Sequence, residues 1–108
     1  MKKYNLKNMI KGWFIGKFEP TLLDTDLFEV AVKRYKEGDS EERHTHKIAT
    51  EFTVIISGNV IMDGNEYGED DIIVIEPNQS TDFKCLTDVV TLVVKTPSIK
   101  DDKYVIWF

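Results

Sequence analysis

From residue 27 onward the chain is written in short runs of alternating apolar and polar side chains, each closed by a cluster of glycine, asparagine or aspartate. No other feature constrains the fold as strongly. A side-chain period of two belongs to half-buried strands, and turn residues at such intervals belong to hairpins. Phe28, Val30 and Val32 alternate with Glu29, Ala31 and Lys33, a strand that ends at Glu37-Gly38-Asp39. Residues 51–57 read as another strand, and Gly58-Asn59 as a turn into 60–62. Asp63-Gly64-Asn65 closes a second tight hairpin, since glycine and asparagine accept the positive φ that such turns need. Residues 72–75, 81–86 and 89–95 complete the set. Ahead of them, residues 5–10 are spaced for one helical turn, and 13–18, framed by Gly12 and Gly16, for a strand. About eight short strands without a long helix predict an all-β antiparallel barrel or sandwich.

Size and charge narrow the function. A chain of 108 residues with 42% hydrophobic content makes one domain with a real core. Fourteen basic against nineteen acidic side chains give a net charge of -5, and no lysine or arginine run could track a phosphate backbone, so nucleic acid is not the expected partner. The longest apolar runs fall far short of the roughly 20 residues that span a bilayer, so neither is a membrane. The first residues carry charge with no long apolar stretch behind them, unlike a secretory signal, and the single Cys85 makes no internal disulfide. Both point to the cytoplasm.

Both histidines of the chain sit in one tripeptide, His44-Thr45-His46, with Glu51 five residues further on and Gly38 and Gly58 bracketing the set. On a strand, residues i and i+2 share a face, so the spacing delivers two imidazoles to one point. A divalent cation held by His44, His46 and Glu51 is the natural guest. Two imidazoles and one or two carboxylates suit manganese, iron(II), nickel or zinc, with availability deciding among them.

Gly38, His44, His46, Glu51 and Gly58, in this spacing over twenty-one residues, resemble without a gap the first motif of the cupin superfamily, small jelly-roll barrels also called double-stranded β-helices. The likeness runs through residues 27–94 and implies a single cupin domain over 1–108, its barrel at about 27–96 and its terminal segments packing on the barrel or on a partner subunit. In metal-binding cupins the residues matching His44, His46 and Glu51 are ligands, and a further histidine comes from a second motif. That histidine is missing here. In one alignment Asn78 stands for the motif's glycine and Thr81 for its histidine; in the other Gln79 and Asp82 take those places, and only the second supplies a fourth ligand.

Other residues extend the expected site. Arg34 shares strand parity with Phe28, Val30 and Val32, which predicts an inward guanidinium able to bind substrate through two-point contact with a carboxylate or phosphate. Tyr35, on the opposite parity, is expected to pack outside. Asp82 is a candidate catalytic base, a ligand or an Asx turn, and Cys85 a small buried hydrophobe. Phe52, Val54 and Ile56 should face out while Glu51, Thr53 and Ile55 face in. A strand apolar on both faces needs cover on both, from Trp13, Phe14, Trp107 and Phe108 or from a second subunit, and a homodimer is expected. The closing 104–108 segment should pair with a sheet edge or the partner chain. Three functions remain open: a metal-dependent isomerase or oxygenase acting on a small polar molecule, a non-catalytic small-ligand binder, and a metal-free sugar-nucleotide isomerase or epimerase of the kind found among cupins that lack a ligand.

Overall fold

A computed structural model describes residues 1–106. One turn of 3-10 helix, Leu6–Asn8, opens the chain, capped by Asn5, whose Oδ1 accepts from Lys7 N at 2.9 Å. Ten strands follow: β1 (Trp13–Ile15), β2 (Glu29–Tyr35), β3 (Ser40–His46), β4 (Thr50–Ser57), β5 (Val60–Met62), β6 (Asn65–Tyr67), β7 (Ile72–Ile75), β8 (Ser80–Cys85), β9 (Val89–Thr96) and β10 (Lys103–Val105). They form two five-stranded antiparallel sheets, in the orders β1-β2-β9-β4-β7 and β10-β3-β8-β5-β6. Successive strands from β2 to β5 step from one sheet to the other, so the chain rolls into the expected jelly roll instead of zigzagging as a meander.

One end of the barrel is packed with apolar side chains. Ile55, Val60, Met62, Phe83, Cys85 and Val89 form the core, with Tyr35, Tyr67, Ile73 and Ile75 against it. Each fully buried aliphatic side chain there stabilises the fold by about 1.5–3 kcal/mol. Burial and the carboxylates of Asp39 and Glu41 push the Cys85 thiol up to about 11, so the buried cysteine stays protonated and acts as a hydrophobe.

Strand β4 follows the sequence pattern: Thr53 and Ile55 are buried, while Phe52 and Ile56 face out. Strand β2 reverses it. Glu29 and Ala31 are buried, and Lys33 and Tyr35 share their parity and line the barrel interior; Arg34 is exposed. The expected inward Arg34 and outward Tyr35 are therefore both corrected. The reason is that this part of the interior is polar, so apolar character marks the wrong face. Val32 and Arg34 instead border a shallow groove beside Leu6 and Met9 of the N-terminal segment.

The closing segment does pair with a sheet edge, since β10 lies antiparallel to β3 with Tyr104 opposite Thr45. Trp107 and Phe108, expected as cover, lie outside the described residues. No helix among the described residues is long and apolar enough to cross a membrane.

Candidate functional site: a polar cavity in the barrel

Above the apolar core the barrel holds a cavity of about 200 Å³. His44, His46 and Glu51 all line it, as do Thr53, Thr81 and Thr91. The volume corresponds to roughly seven waters at about 30 Å³ each, enough for a small metabolite-sized molecule.

A bulge in β3 aims these side chains. Glu41 pairs with Phe83 and His44 with Thr81, so three residues on β3 span two on β8. The extra residue shifts the parity and lets Glu41 at one end of the strand and His44 at the other both reach the cavity, while Arg43 turns outward to Asp63 at 2.6 Å.

Each histidine is held by a main-chain carbonyl. His44 Nδ1 lies 2.8 Å from Glu42 O and His46 Nδ1 lies 3.1 Å from Asp102 O. A carbonyl only accepts, so Nδ1 carries the hydrogen in both rings and Nε2 is the free position. In His46 that nitrogen meets Glu51 Oε1 at 3.5 Å, and the other oxygen of Glu51 accepts from Thr53 Oγ1 at 2.8 Å. Burial opposes ionisation of Glu51, but the contact with His46, the hydrogen bond from Thr53 and the charge of Lys95 outweigh it and hold the carboxyl below its ordinary pKa.

Asp102 anchors this corner. Its carboxylate is buried and accepts from three consecutive amides, Lys47 N at 3.0 Å, Ile48 N at 3.2 Å and Ala49 N at 2.9 Å. Desolvation alone would raise its pKa; those three N–H donors lower it below the usual carboxylate range. The β3–β4 loop is thereby wrapped around the residue whose carbonyl orients His46.

Four lysines also line the cavity: Lys11, Lys33, Lys95 and Lys103. Lys95 pairs with Glu29 at 3.5 Å, and the ammonium groups of Lys33 and Lys95 stand 5.1 and 5.0 Å from the centre of the Trp13 ring. Trp13 was expected to cover the outside of the barrel; it lines the cavity.

The two alignments of the second motif are distinguishable here. Asn78 takes the left-handed conformation at φ 71°, as the residue replacing the motif's glycine should, and Thr81 stands directly opposite His44. Asp82 borders the cavity on the opposite parity, but its carboxylate accepts from Asp63 N at 2.9 Å and lies 3.9 Å from Arg43. Asp82 thus braces the β5–β6 turn while bordering the cavity.

Among the described residues, no group of three or more His, Cys, Asp or Glu side chains is gathered so as to hold a metal ion. His46 and Glu51 meet, the His44 ring centre stands 5.4 Å from that of His46, and a threonine fills the fourth place. The donor types suit a divalent cation, but their arrangement here does not fit one.

No family model matches the chain, and no curated protein matches it in sequence. Solved structures do. An uncharacterized conserved protein with a double-stranded beta-helix domain from Klebsiella pneumoniae superposes with a TM-score of 0.71 at 15% identity, over 96% of this chain and 90% of that one. An RmlC-like cupin from Shewanella frigidimarina gives 0.63 at 16% identity, over 70% of this chain and 71% of the other. The chain has the cupin fold. Oxalate decarboxylase from Bacillus subtilis shares it at a TM-score of 0.67 and 18% identity, over 76% of this chain but 24% of that longer one. At these identities the likeness carries the architecture alone, and the chemistry of this chain has to come from its own cavity.

Sequence reasoning missed Lys33, Thr91, Lys95 and Asp102. A signal existed for two of them, because Thr91 and Lys95 interrupt the same parity of an otherwise apolar β9. Asp102 had none, since its partners lie more than fifty residues away.

Proposed function

We propose that this cupin binds a small polar molecule in its barrel and moves a proton on it with the His46–Glu51 pair, without a metal. The 3.5 Å contact between His46 Nε2 and Glu51 Oε1 inside the cavity carries the reading. With Nδ1 committed to Asp102 O, a neutral His46 would turn a lone pair toward an ionised carboxylate, and a shared proton relieves that opposition. A pair that shares a proton next to a ligand can take one from carbon beside a carbonyl and return it, the step common to isomerases and epimerases. The lysine ammonium groups lining the cavity would stabilise the enolate oxygen that forms. A non-catalytic binder uses the same cavity and differs in lacking turnover. The location proposed is cytoplasmic.

A divalent ion on His44, His46 and Glu51, whether manganese, iron, nickel or zinc, is the competing reading. The shared tautomer favours it, since both rings leave Nε2 free, and Bacillus subtilis oxalate decarboxylase carries Mn(II) centers on this fold. It draws on the same three side chains. Elemental analysis of protein purified without chelator, beside the His44→Ala/His46→Ala variant, separates the two. Substoichiometric metal equal in both is expected; near-stoichiometric metal that vanishes in the variant would replace the metal-free reading.

We also propose a homodimer. Ile72 and Val74 of β7 are 64% and 48% exposed, beside the exposed Phe52 and Ile56, an apolar sheet face without cover among the described residues. A second copy of the same face is a self-complementary cover. Light scattering should find a dimer that the Ile72→Lys/Val74→Lys variant converts to a folded monomer; a monomeric parent protein would contradict this.

A further inference from the structure

The deep wall of the cavity carries a polar group that the fold itself does not use. Thr91 is 1% exposed and lines the cavity, yet its Oγ1 has no hydrogen-bond partner among the described residues. A buried hydroxyl left unpaired costs roughly 1–3 kcal/mol, and a valine would fill the same space without that cost. The residue therefore works against the empty fold. Its cross-strand neighbours are Lys33 on β2 and Ile55 on β4, so Lys33 and Thr91 rise from adjacent strands, and both line the cavity.

Lys33 is in a similar position. It lines the same cavity, and its ammonium has no carboxylate within salt-bridge distance among the described residues, only the face of Trp13. Burial lowers its pKa, Glu41 partly opposes this, and Lys95 and Lys103 lower it further. Four lysines and three acidic residues, Glu41, Glu51 and Asp82, line the cavity; Lys95 is paired with Glu29, and Lys33, with no carboxylate in salt-bridge distance among the described residues, is available to an anion.

We infer that Lys33 and Thr91 form a subsite for the carboxylate of a small organic acid, which makes the ligand of this cupin a carboxylate-bearing molecule. One carboxylate oxygen accepts from the Lys33 ammonium and the other from the Thr91 hydroxyl, while Trp13, faced by both Lys33 and Lys95, lines the same cavity. The volume of about 200 Å³ suits an acid of few carbons. The inference rests on the barrel cavity being the ligand site and leaves the proton step of His46 and Glu51 independent.

The test is a titration with pyruvate, and with its uncharged analogue acetone, followed by amide chemical shifts. Saturable binding of pyruvate at millimolar concentration, centred on the Lys33 and Thr91 resonances, is expected, with acetone at least about ten-fold weaker. Lys33→Met and Thr91→Val should each weaken pyruvate about ten-fold or more. Thr91→Val should at the same time raise the melting temperature of the free protein, an outcome that a structural role for the hydroxyl would reverse. Absence of saturable pyruvate binding, acetone binding as well as pyruvate, or Thr91→Val and Lys33→Met binding like the parent would each overturn the subsite. His46→Gln serves as the reference: retained binding without proton exchange would leave the subsite standing, and exchange without a Lys33 or Thr91 effect would leave only the proton-transfer reading.

Discussion

Asp102→Ala is expected to destabilise the fold by about 2–4 kcal/mol, lowering the melting temperature by roughly 10–25 °C. The carboxylate accepts from Lys47 N, Ile48 N and Ala49 N, and an alanine leaves all three donors without their partner. Ala49 is buried, so its N–H has no water to turn to; the amides of the exposed Lys47 and Ile48 recover part of their loss from solvent. Asp102→Asn, which keeps one acceptor oxygen, should fall between. The sign of the pH dependence follows from the direction of the shifts. Asp102 and Glu51 are both held below their ordinary pKa in the folded protein, so their contribution is complete above the unfolded carboxylate range near 4 and is lost as pH falls through the lower folded values. Urea midpoints measured from neutral pH downward should therefore decline below about pH 4 in the parent and less steeply in Asp102→Ala. A second readout reports on the site: loosening the loop should disturb the Nδ1–H tautomer of His46, visible in its ring nitrogen shifts. Midpoints and tautomer both unchanged would show that the loop does not need this anchor.

Gly58→Ala is the second large effect, about 2–4 kcal/mol of lost stability from two separate causes. Its φ is 92°, where an L side chain is strained, and an added Cβ would stand 2.1 Å from Asp88 O and 2.9 Å from Thr87 Oγ1. The first contact is with main chain, so the turn between β8 and β9 has to move as a unit. Gly64 separates the causes, because its φ of 81° is similar but nothing lies within 4 Å of its Cβ position. Gly64→Ala should cost only the backbone part, about 1–2 kcal/mol. Equal losses in the two variants, read from denaturant midpoints, would remove the close approach of Asp88 from the account. The cavity lies at the other end of the barrel from Gly58, so the folded fraction of the variant should bind ligand as the parent does.

How much of this was legible in the sequence varies with the kind of information each residue needs. Alternation in residues 51–57 placed Glu51, Thr53 and Ile55 inside, because there the parity follows from Glu51, the residue expected beside the histidines, and not from hydrophobicity. The tripeptide spacing brought His44 and His46 into one cavity with Glu51, as strand geometry requires. On β2 the same rule misassigned the faces. Glu29, Lys33 and Tyr35 point into the barrel while Val30 and Val32 do not, since a polar interior inverts the usual relation between burial and hydrophobicity. The choice between Thr81 and Asp82 needed the pairing register across from His44, which no local pattern contains. Asp102 needed the fold itself, for its carboxylate meets a loop over fifty residues earlier in the chain.

The function proposed for His46 and Glu51 is to move a proton on a small molecule held in the barrel without a resident metal. Its most direct test is deuterium incorporation at carbon-bound positions of pyruvate and related small keto and hydroxy acids, followed by proton NMR in heavy water with chelator-treated protein. Exchange that survives the chelator and is lost in both His46→Gln and Glu51→Gln, each of which should remain folded, is expected. Exchange that appears only after a divalent metal is restored, or none with any acid in the series, would contradict it.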